Sequence, residues 1–189
     1  GQASTVSLTS AERIEVLTGP LAQLYGNAAG GVIQVFSKES SQTPTAQVQA
    51  LTGSDGLSRS DWQFSQKSGN IGFLADYSTF HIQGYRAHSE AKREQLNALI
   101  RVDVSPQTNV KVIANSFNMP FAKDPLGLTL AQLTLNPKQA GINAIANDTR
   151  KTVSQEQVGV VLAHQLNPET QVQARIYGGS RENLQYQAS

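Results

Sequence analysis

The feature that most constrains this chain is a two-residue alternation of apolar and polar side chains, which runs from Ala46 almost to the C-terminus. Alternation with this period places apolar side chains on one face of a β-strand and polar ones on the other. It recurs in seven segments, and the residues on their apolar face are Ala46, Val48 and Ala50; Trp62 and Phe64; Ile71, Phe73, Ala75 and Tyr77; Leu96, Ala98, Ile100, Val102 and Val104; Val110, Val112 and Ala114; Val158, Val160 and Leu162; and Val172, Ala174 and Ile176. The pattern therefore predicts seven β-strands.

The two predicted faces favour a membrane barrel over a soluble β-sandwich. The apolar face contains many alanines and valines, whereas the core of a sandwich favours larger side chains. The opposite face carries amides and charges in the middle of strands, which suits a lumen filled with water. The residues expected to face lipid are Val48, Phe64, Phe73, Ile100, Val112, Val160 and Val172. The residues expected to face the lumen are Gln47, Gln63, Asp76, Arg101, Lys111 and Arg175.

The predicted connections alternate between tight turns and longer loops. The breaks after the second, fourth and sixth strands are tight, and they contain the Gly-Asn and Asn-Pro pairs that are typical of turns. The other connections are longer, and the fifth is predicted to run from Asn118 to Val153. Short turns at one end of a sheet and long loops at the other indicate a transmembrane antiparallel β-barrel.

Composition excludes several other classes of protein. The formal net charge of +1 gives no electrostatic case for binding nucleic acid. The chain contains no run of 18 apolar residues, so no transmembrane helix is predicted. The chain has no cysteine, and His81, His88 and His164 lack the spacing of metal ligands. No nucleophile, base and orienting residue combine into a catalytic trio, so we predict a protein that is not an enzyme and has no cofactor.

Residues 1–38 have a different pattern, with two short apolar runs around a glycine-rich stretch. Ile14 and Val16 alternate with charged residues and predict a short strand that ends at Gly19-Pro20. One helical turn is predicted over 21–25 and a second strand over 32–36. Residues 26–31 lack the Lys-Ser/Thr pair of a phosphate-binding loop, so a turn is predicted there instead.

Residues 12–38 closely resemble the signature at the C-terminal end of the plug domain in TonB-dependent outer-membrane receptors. The residues that carry this resemblance are Glu12, Arg13, Gly19, Pro20, Leu24, Tyr25, Gly26, Gly30 and Gly31. Two positions depart from the family pattern, since Thr18 stands where arginine is usual and Gln34 where asparagine is common. The family arginine contributes to polar contacts between plug and barrel wall.

The resemblance implies a fragment in three parts: the C-terminal part of a mixed α/β plug domain over 1–38, a linker over 39–45, and about seven of 22 barrel strands over 46–189. The implied function is TonB-dependent import of a scarce substrate, a ferric siderophore or a similar iron complex, across the bacterial outer membrane. The implied partners are the TonB complex, bound through an N-terminal box outside this chain, the small-molecule or metal-chelate substrate, and outer-membrane lipid and lipopolysaccharide.

Two alternatives to iron import stay open at this point. Segments 124–129 and 147–151 resemble loops of iron-complex receptors, but they also suggest the subgroup that imports pyrroloquinoline quinone. A passive β-barrel porin is the second alternative, although a porin has no preceding domain with the spacing of the glycine-rich signature.

The segment 118–153 is predicted to be an extracellular loop over the mouth of the pore. In the family the plug joins the barrel on the periplasmic side, which makes odd-numbered connections extracellular. The leucines from Leu126 to Leu135 are expected to form a small local core, with a helical turn after Thr129. The residues expected to offer stacking and hydrogen bonds to a ligand are Phe117, Phe121, Asp124, Asn143, Asn147 and Arg150.

Two further surface groups have expected roles. Arg86, Lys92 and Arg93 are predicted to form a basic loop that is solvated or contacts lipopolysaccharide. The aromatic residues near strand ends are expected to lie at the membrane interface, and these are Trp62, Tyr77 and Tyr85.

Overall fold

The computed structural model describes residues 9–19 and 30–188. The first two strands, β1 (Ala11–Thr18) and β2 (Gly31–Ser37), pair antiparallel and form a sheet of their own. They do not extend the larger sheet, which agrees with the change of pattern near residue 40. The predicted helical turn over 21–25 lies outside the described residues.

The remaining strands form one antiparallel sheet in which every strand pairs with its neighbour in the sequence. They are β3 (Thr45–Thr52), β4 (Ser58–Ser68), β5 (Ile71–Ile82), β6 (Ala91–Ser105), β7 (Thr108–Lys123), β8 (Arg150–Asn167) and β9 (Thr170–Tyr186). This order confirms the seven predicted strands and the tight turns after β4, β6 and β8. Two short helices, α1 (Leu130–Leu135) and α2 (Ile142–Ala146), lie in the connection between β7 and β8.

The register of the sheet keeps the predicted faces apart. Ala75, Ala98, Ala114 and Val158 are partners across four neighbouring strands, and so are Asp76, Asn97, Asn115 and Gln157. Because successive side chains of a strand point to opposite faces, the two rows lie on opposite sides of the sheet. We call the side that carries Asp76 the inner face and the other the outer face.

Contacts of the N-terminal segment identify the inner face. The backbone oxygen of Thr9 accepts hydrogen bonds from Gln63 Nε2 at 2.9 Å and Lys38 Nζ at 2.8 Å. Thr9 Oγ1 lies 3.4 Å from Asp76 Oδ1. Asp76 is only 2% exposed, and Asn97 Nδ2 donates to its Oδ1 at 3.1 Å. Residues that the sequence assigns to the lumen therefore lie on the side that holds the N-terminal segment.

The outer face is apolar over only part of its height. Ser116, Glu156 and Ser180 form one register row and replace the aliphatic side chains of the rows below them. A membrane strand needs about 9–11 residues, whereas β8 has 18. The strands β7, β8 and β9 therefore continue beyond the apolar band.

Polar and aromatic side chains mark the two margins of that band. Trp62 and Tyr77 are register partners on the outer face and are exposed, as expected for residues at a membrane interface. At the other end of the strands, His164 Nδ1 and Thr108 Oγ1 lie 2.8 Å apart. This bond satisfies the histidine that interrupts the apolar run of β8.

Two predicted boundaries are wrong. Residues 118–123 belong to β7 and 150–153 to β8, so the long connection covers 124–149 and not 118–153. Lys92 and Arg93 lie in β6, so Arg86 is the one member of the predicted basic loop that lies in a connection. Both errors arise because strands above the apolar band lose the alternation that reveals them.

No helix in the described ranges is long and apolar enough to cross a membrane.

Candidate functional site

The long connection is closed at its base by hydrogen bonds between its two ends. Asp124 N donates to the Thr149 oxygen at 2.9 Å, and Thr149 Oγ1 donates to the Asp124 oxygen at 2.6 Å. Thr149 is buried. The connection therefore begins and ends at one point and forms a separate unit above β7 and β8, which we call the 124–149 loop.

Local sequence explains the first helix of this loop. Thr129 caps α1, since its hydroxyl accepts from Gln132 N, while the Gln132 side chain accepts from Thr129 N. This reciprocal pair satisfies two backbone donors at the helix start. The helical turn expected after Thr129 is confirmed.

The predicted leucine core of the loop is wrong. Leu130 and Leu135 are 79% and 84% exposed, and Ile142 on α2 is equally exposed. The buried residues of the loop are small, namely Ala140, Gly141, Ala144 and Thr149. Helices of six and five residues are too short to bring several large side chains together, so the loop presents its apolar residues to its surroundings.

Arg86, in the connection between β5 and β6, holds the 124–149 loop in place. Its Nε donates to the Gln139 oxygen at 3.0 Å, its Nη1 to Leu126 at 2.7 Å and its Nη2 to Pro125 at 3.1 Å. Ala87 N adds a hydrogen bond to the Lys138 oxygen at 2.7 Å. One guanidinium therefore joins both arms of the loop to the neighbouring connection.

A histidine makes a second link between the same two connections. His88 Nε2 donates to the Thr149 oxygen at 2.9 Å. His88 and Leu126 both have positive φ angles, 57° and 55°. Residues other than glycine adopt this conformation at a cost of about 1–3 kcal/mol, and such residues cluster at functional sites. The contacts of Arg86 and His88 offset this strain.

A surface cleft of about 630 Å³ lies between the two connections. Its lining includes Tyr85, Arg86, His88, Glu90, Lys123 and Lys138. The hydrogen bond from Lys123, followed by that from His81, holds the pKa of the Glu90 carboxyl below its ordinary value. Lys138 Nζ lies 5.5 Å from the centre of the Tyr85 ring. The cleft therefore combines cations, a carboxylate and an aromatic face.

Most of the six predicted ligand contacts have other roles within the protein. Phe117 lies within β7 and is only 4% exposed, and Phe121 belongs to the same strand. Asp124 accepts from Leu126 N, and Asn147 Nδ2 donates to the Asn143 oxygen. Arg150 pairs with Asp148 and lies over the Tyr186 ring. Most of these side chains hold strands or turns together, and their role toward a ligand stays a prediction.

Arg86 is the functional candidate whose role the sequence did not reveal. A single arginine in a loop gives no pattern, and its partners are backbone oxygens, which carry no side-chain signature. The positive φ of Leu126 gives no signal either, because glycine is absent from that position.

Replacing Arg86 with alanine is expected to loosen the 124–149 loop. Hydrogen bonds from a charged donor are worth about 1.5–3 kcal/mol each before solvent screening, and this change removes three. Faster cleavage of the loop by an added protease on intact cells would show the effect. The matched control is Lys92→Ala, which removes one exposed ion pair with Glu94 at 2.9 Å. Equal cleavage of the two variants would contradict the assigned role.

Part of the glycine-rich signature is described. Gly31 has a φ of 128°, and a Cβ there would collide with the Leu17 oxygen of the paired strand, so glycine is required. Arg13 lies 3.7 Å from the centre of the Phe36 ring and pairs with Glu15. Glu12, Gly19 and Gly30 lie at the ends of this two-stranded sheet. Pro20, Leu24, Tyr25 and Gly26 lie outside the described residues.

Metal ligands are not clustered in the described part of the chain. No three His, Asp or Glu residues there lie close enough to hold an ion.

Comparisons with known proteins agree with the fold. The ferrichrome outer membrane transporter/phage receptor of Escherichia coli (strain K12) is 29% identical over 89 residues, which are 47% of this chain and 12% of that protein. The crystal structure of the ferric citrate transporter FecA in its unliganded form superposes with a TM-score of 0.73 at 17% identity, over 97% of this chain and 29% of that one. No family model matches the chain.

The class of protein follows from these observations. The seven-stranded antiparallel sheet has the fold of part of an outer-membrane transport barrel. Both similarities agree with the resemblance to TonB-dependent outer-membrane receptors that the sequence predicts. The chain spans less than a third of either relative. Both of these proteins are named as transporters.

Proposed function

We propose that the receptor containing this chain imports a ferric siderophore or a similar iron complex across the outer membrane, driven by the TonB complex. The observation that carries the proposal is a seven-stranded sheet whose inner face is hydrogen-bonded to Thr9, just before a separate two-stranded sheet. A passive pore has no need of such a segment. The names of the two relatives, a ferrichrome and a ferric citrate transporter, support iron complexes as the substrate class.

Each part of the chain has a role in this proposal. Residues 1–38 are the end of the plug that closes the pore, 39–45 are the linker, and 46–189 form the first part of the barrel wall. The 124–149 loop, held by Arg86, receives the substrate at the outer surface. Its exposed leucines suit the apolar parts of a chelate, and the charged cleft suits its polar groups. Lipid and lipopolysaccharide contact the outer face.

Uptake by living cells tests this function. Full-length receptor is expressed in a strain without its own iron-chelate receptors, with and without a working TonB complex. Accumulation of radioactive iron from a panel of ferric siderophores is expected only when TonB works. If the receptor takes up pyrroloquinoline quinone in a TonB-dependent way but takes up no iron complex, its substrate is pyrroloquinoline quinone. Equal uptake of small solutes without TonB would identify a passive porin and overturn the proposal.

A further inference from the structure

The linker lies against the barrel wall and forms hydrogen bonds with β4. Ser41 N donates to Ser65 Oγ at 2.8 Å, and Lys67 N donates to the Ser41 oxygen at 2.7 Å. On the other side, Lys38 N donates to the Ser10 oxygen at 2.8 Å. Residues 38–41 are therefore tied both to the N-terminal segment and to β4.

A glycine in the wall allows this close approach. An ideal Cβ at Gly72 of β5 would lie 3.0 Å from the Ser40 Cβ and closer still to the Ser40 hydroxyl. A side chain at this position that is not bonded to residue 40 would crowd Ser40, since real Cβ atoms do not approach so closely. Gly72 is itself buried. The wall thus has a depression at the point where Ser40 rests.

Charge holds the linker beside this depression. Glu39 Oε1 lies 2.6 Å from Lys111 Nζ, and Glu39 Oε2 lies 3.1 Å from Arg101 Nη1. Partial burial alone would raise the pKa of the Glu39 carboxyl, but the hydrogen bond and charge of Lys111, together with those of Arg101, outweigh burial and lower it. Glu39 therefore stays ionised at neutral pH and keeps both partners.

The charges continue along the inner face of the wall. Asp103 Oδ1 lies 2.8 Å from Arg101 Nε, and its Oδ2 lies 2.8 Å from Lys67 Nζ. Three cations thus share two carboxylates, one of which belongs to the linker. Pairs this exposed contribute little singly, but the loss of Glu39 would leave three neighbouring cations with one carboxylate. The wall therefore favours the bound linker.

We propose that residues 39–41 are a permanent anchor on the barrel wall, about which the N-terminal segment moves during transport. The inference rests on the proposed function and identifies the part of the chain that remains fixed during transport. A segment fastened at its C-terminal end can swing or unravel from its other end, but it cannot leave the lumen as a whole. The path for substrate then opens on the side of the N-terminal segment away from Glu39.

A reversible crosslink tests the anchor in the full-length receptor. The 189 residues contain no cysteine, so Ser40→Cys with Gly72→Cys introduces one defined pair within them. The two Cβ positions are 3.0 Å apart, and a shift of roughly 0.5 Å brings them into the usual range for a disulfide. Uptake of the radioactive iron chelate is expected to be the same in the oxidised and reduced states. Uptake lost on oxidation and restored by a reductant would overturn the anchor.

A second crosslink is the matched control, because it fastens the part of the chain expected to move. Thr9→Cys with Asp76→Cys joins the N-terminal segment, just before β1, to β5, where Thr9 Oγ1 and Asp76 Oδ1 lie 3.4 Å apart. Oxidation of this pair is expected to abolish uptake, and reduction to restore it. Unchanged uptake would overturn the proposed movement. Absence of uptake by the unmodified receptor would instead refute the proposed function.

The mobility of a spin label on the linker tests the anchor without a transport measurement. A spin label at Thr43 of the linker is expected to become more mobile after Glu39→Gln, because both ion pairs are lost. The matched control is Glu169→Gln in the turn before β9, a residue with no ion pair in the described part of the chain. Equal mobility of the label in the two variants would overturn the role of Glu39, whether or not the receptor imports iron.

Discussion

Val112→Arg is expected to stop the barrel from assembling in the outer membrane. Val112 lies on the outer face between Ile100 and Val160, in the middle of the apolar rows. An arginine on the lipid face near the middle of a bilayer costs about 2–4 kcal/mol, which is a large part of the stability of an ordinary domain. Loss of the heat-modifiable, membrane-inserted species on gels would measure the effect.

Asn115→Arg is the matched control for this change. Asn115 lies three residues away on the same strand but on the inner face, opposite Asn97 and Gln157. An arginine there meets amides and water, so assembly is expected to be close to that of the unmodified receptor. Assembly of Val112→Arg with failure of Asn115→Arg would show that the two faces are assigned the wrong way round.

Removal of the 124–149 loop is expected to abolish uptake of the iron chelate while the barrel still forms. The structure provides clean joining points, because Asp124 and Thr149 are hydrogen-bonded to each other. Residues 125–148 can therefore be replaced by a short glycine-rich turn without disturbing β7 or β8. The expected result is loss of chelate binding and uptake, with normal amounts of heat-modifiable receptor in the outer membrane.

A smaller change in the same loop distinguishes the exposed leucines from the part of the loop that Arg86 holds. Replacing Leu130 and Leu135 with serine removes exposed apolar side chains and leaves the contacts of Arg86 intact. Loss of uptake in both variants would assign binding to the apolar tip, whereas loss in the deletion alone would assign it to the rest of the loop. Unchanged uptake in the deletion would show that the loop is only a shield.

The strands could be predicted from sequence wherever lipid lies on one side and water on the other. That contrast requires apolar and polar residues to alternate along β6, where Leu96, Ala98 and Ile100 face outward. Above the apolar band the outer face becomes polar as well, as at Ser116 and Glu156, so the alternation ends although the backbone pairing continues. This is why the predicted strands are too short and the predicted loop is too long.

The candidate site could be predicted in position but not in detail. Connection lengths gave its place between β7 and β8, and the Thr129-Gln132 pair gave the start of α1. The exposure of Leu130 could not be predicted. The contacts of Arg86 could not be predicted either, because its partners are backbone oxygens that lie between 39 and 53 positions later in the sequence. The anchor at Gly72 likewise depends on where Ser40 comes to rest.

Accessibility of spin labels along β7 tests the central assignment, a membrane wall with a lipid face and an inner face, most directly. Labels are placed one at a time at consecutive positions from Val110 to Asn115 in the reconstituted full-length receptor. Collisions with oxygen are expected to be high at Val110, Val112 and Ala114, and collisions with a polar relaxant low there, with the reverse at the residues between them. High oxygen accessibility at Lys111 and Asn115, or no two-residue period, would contradict the assignment.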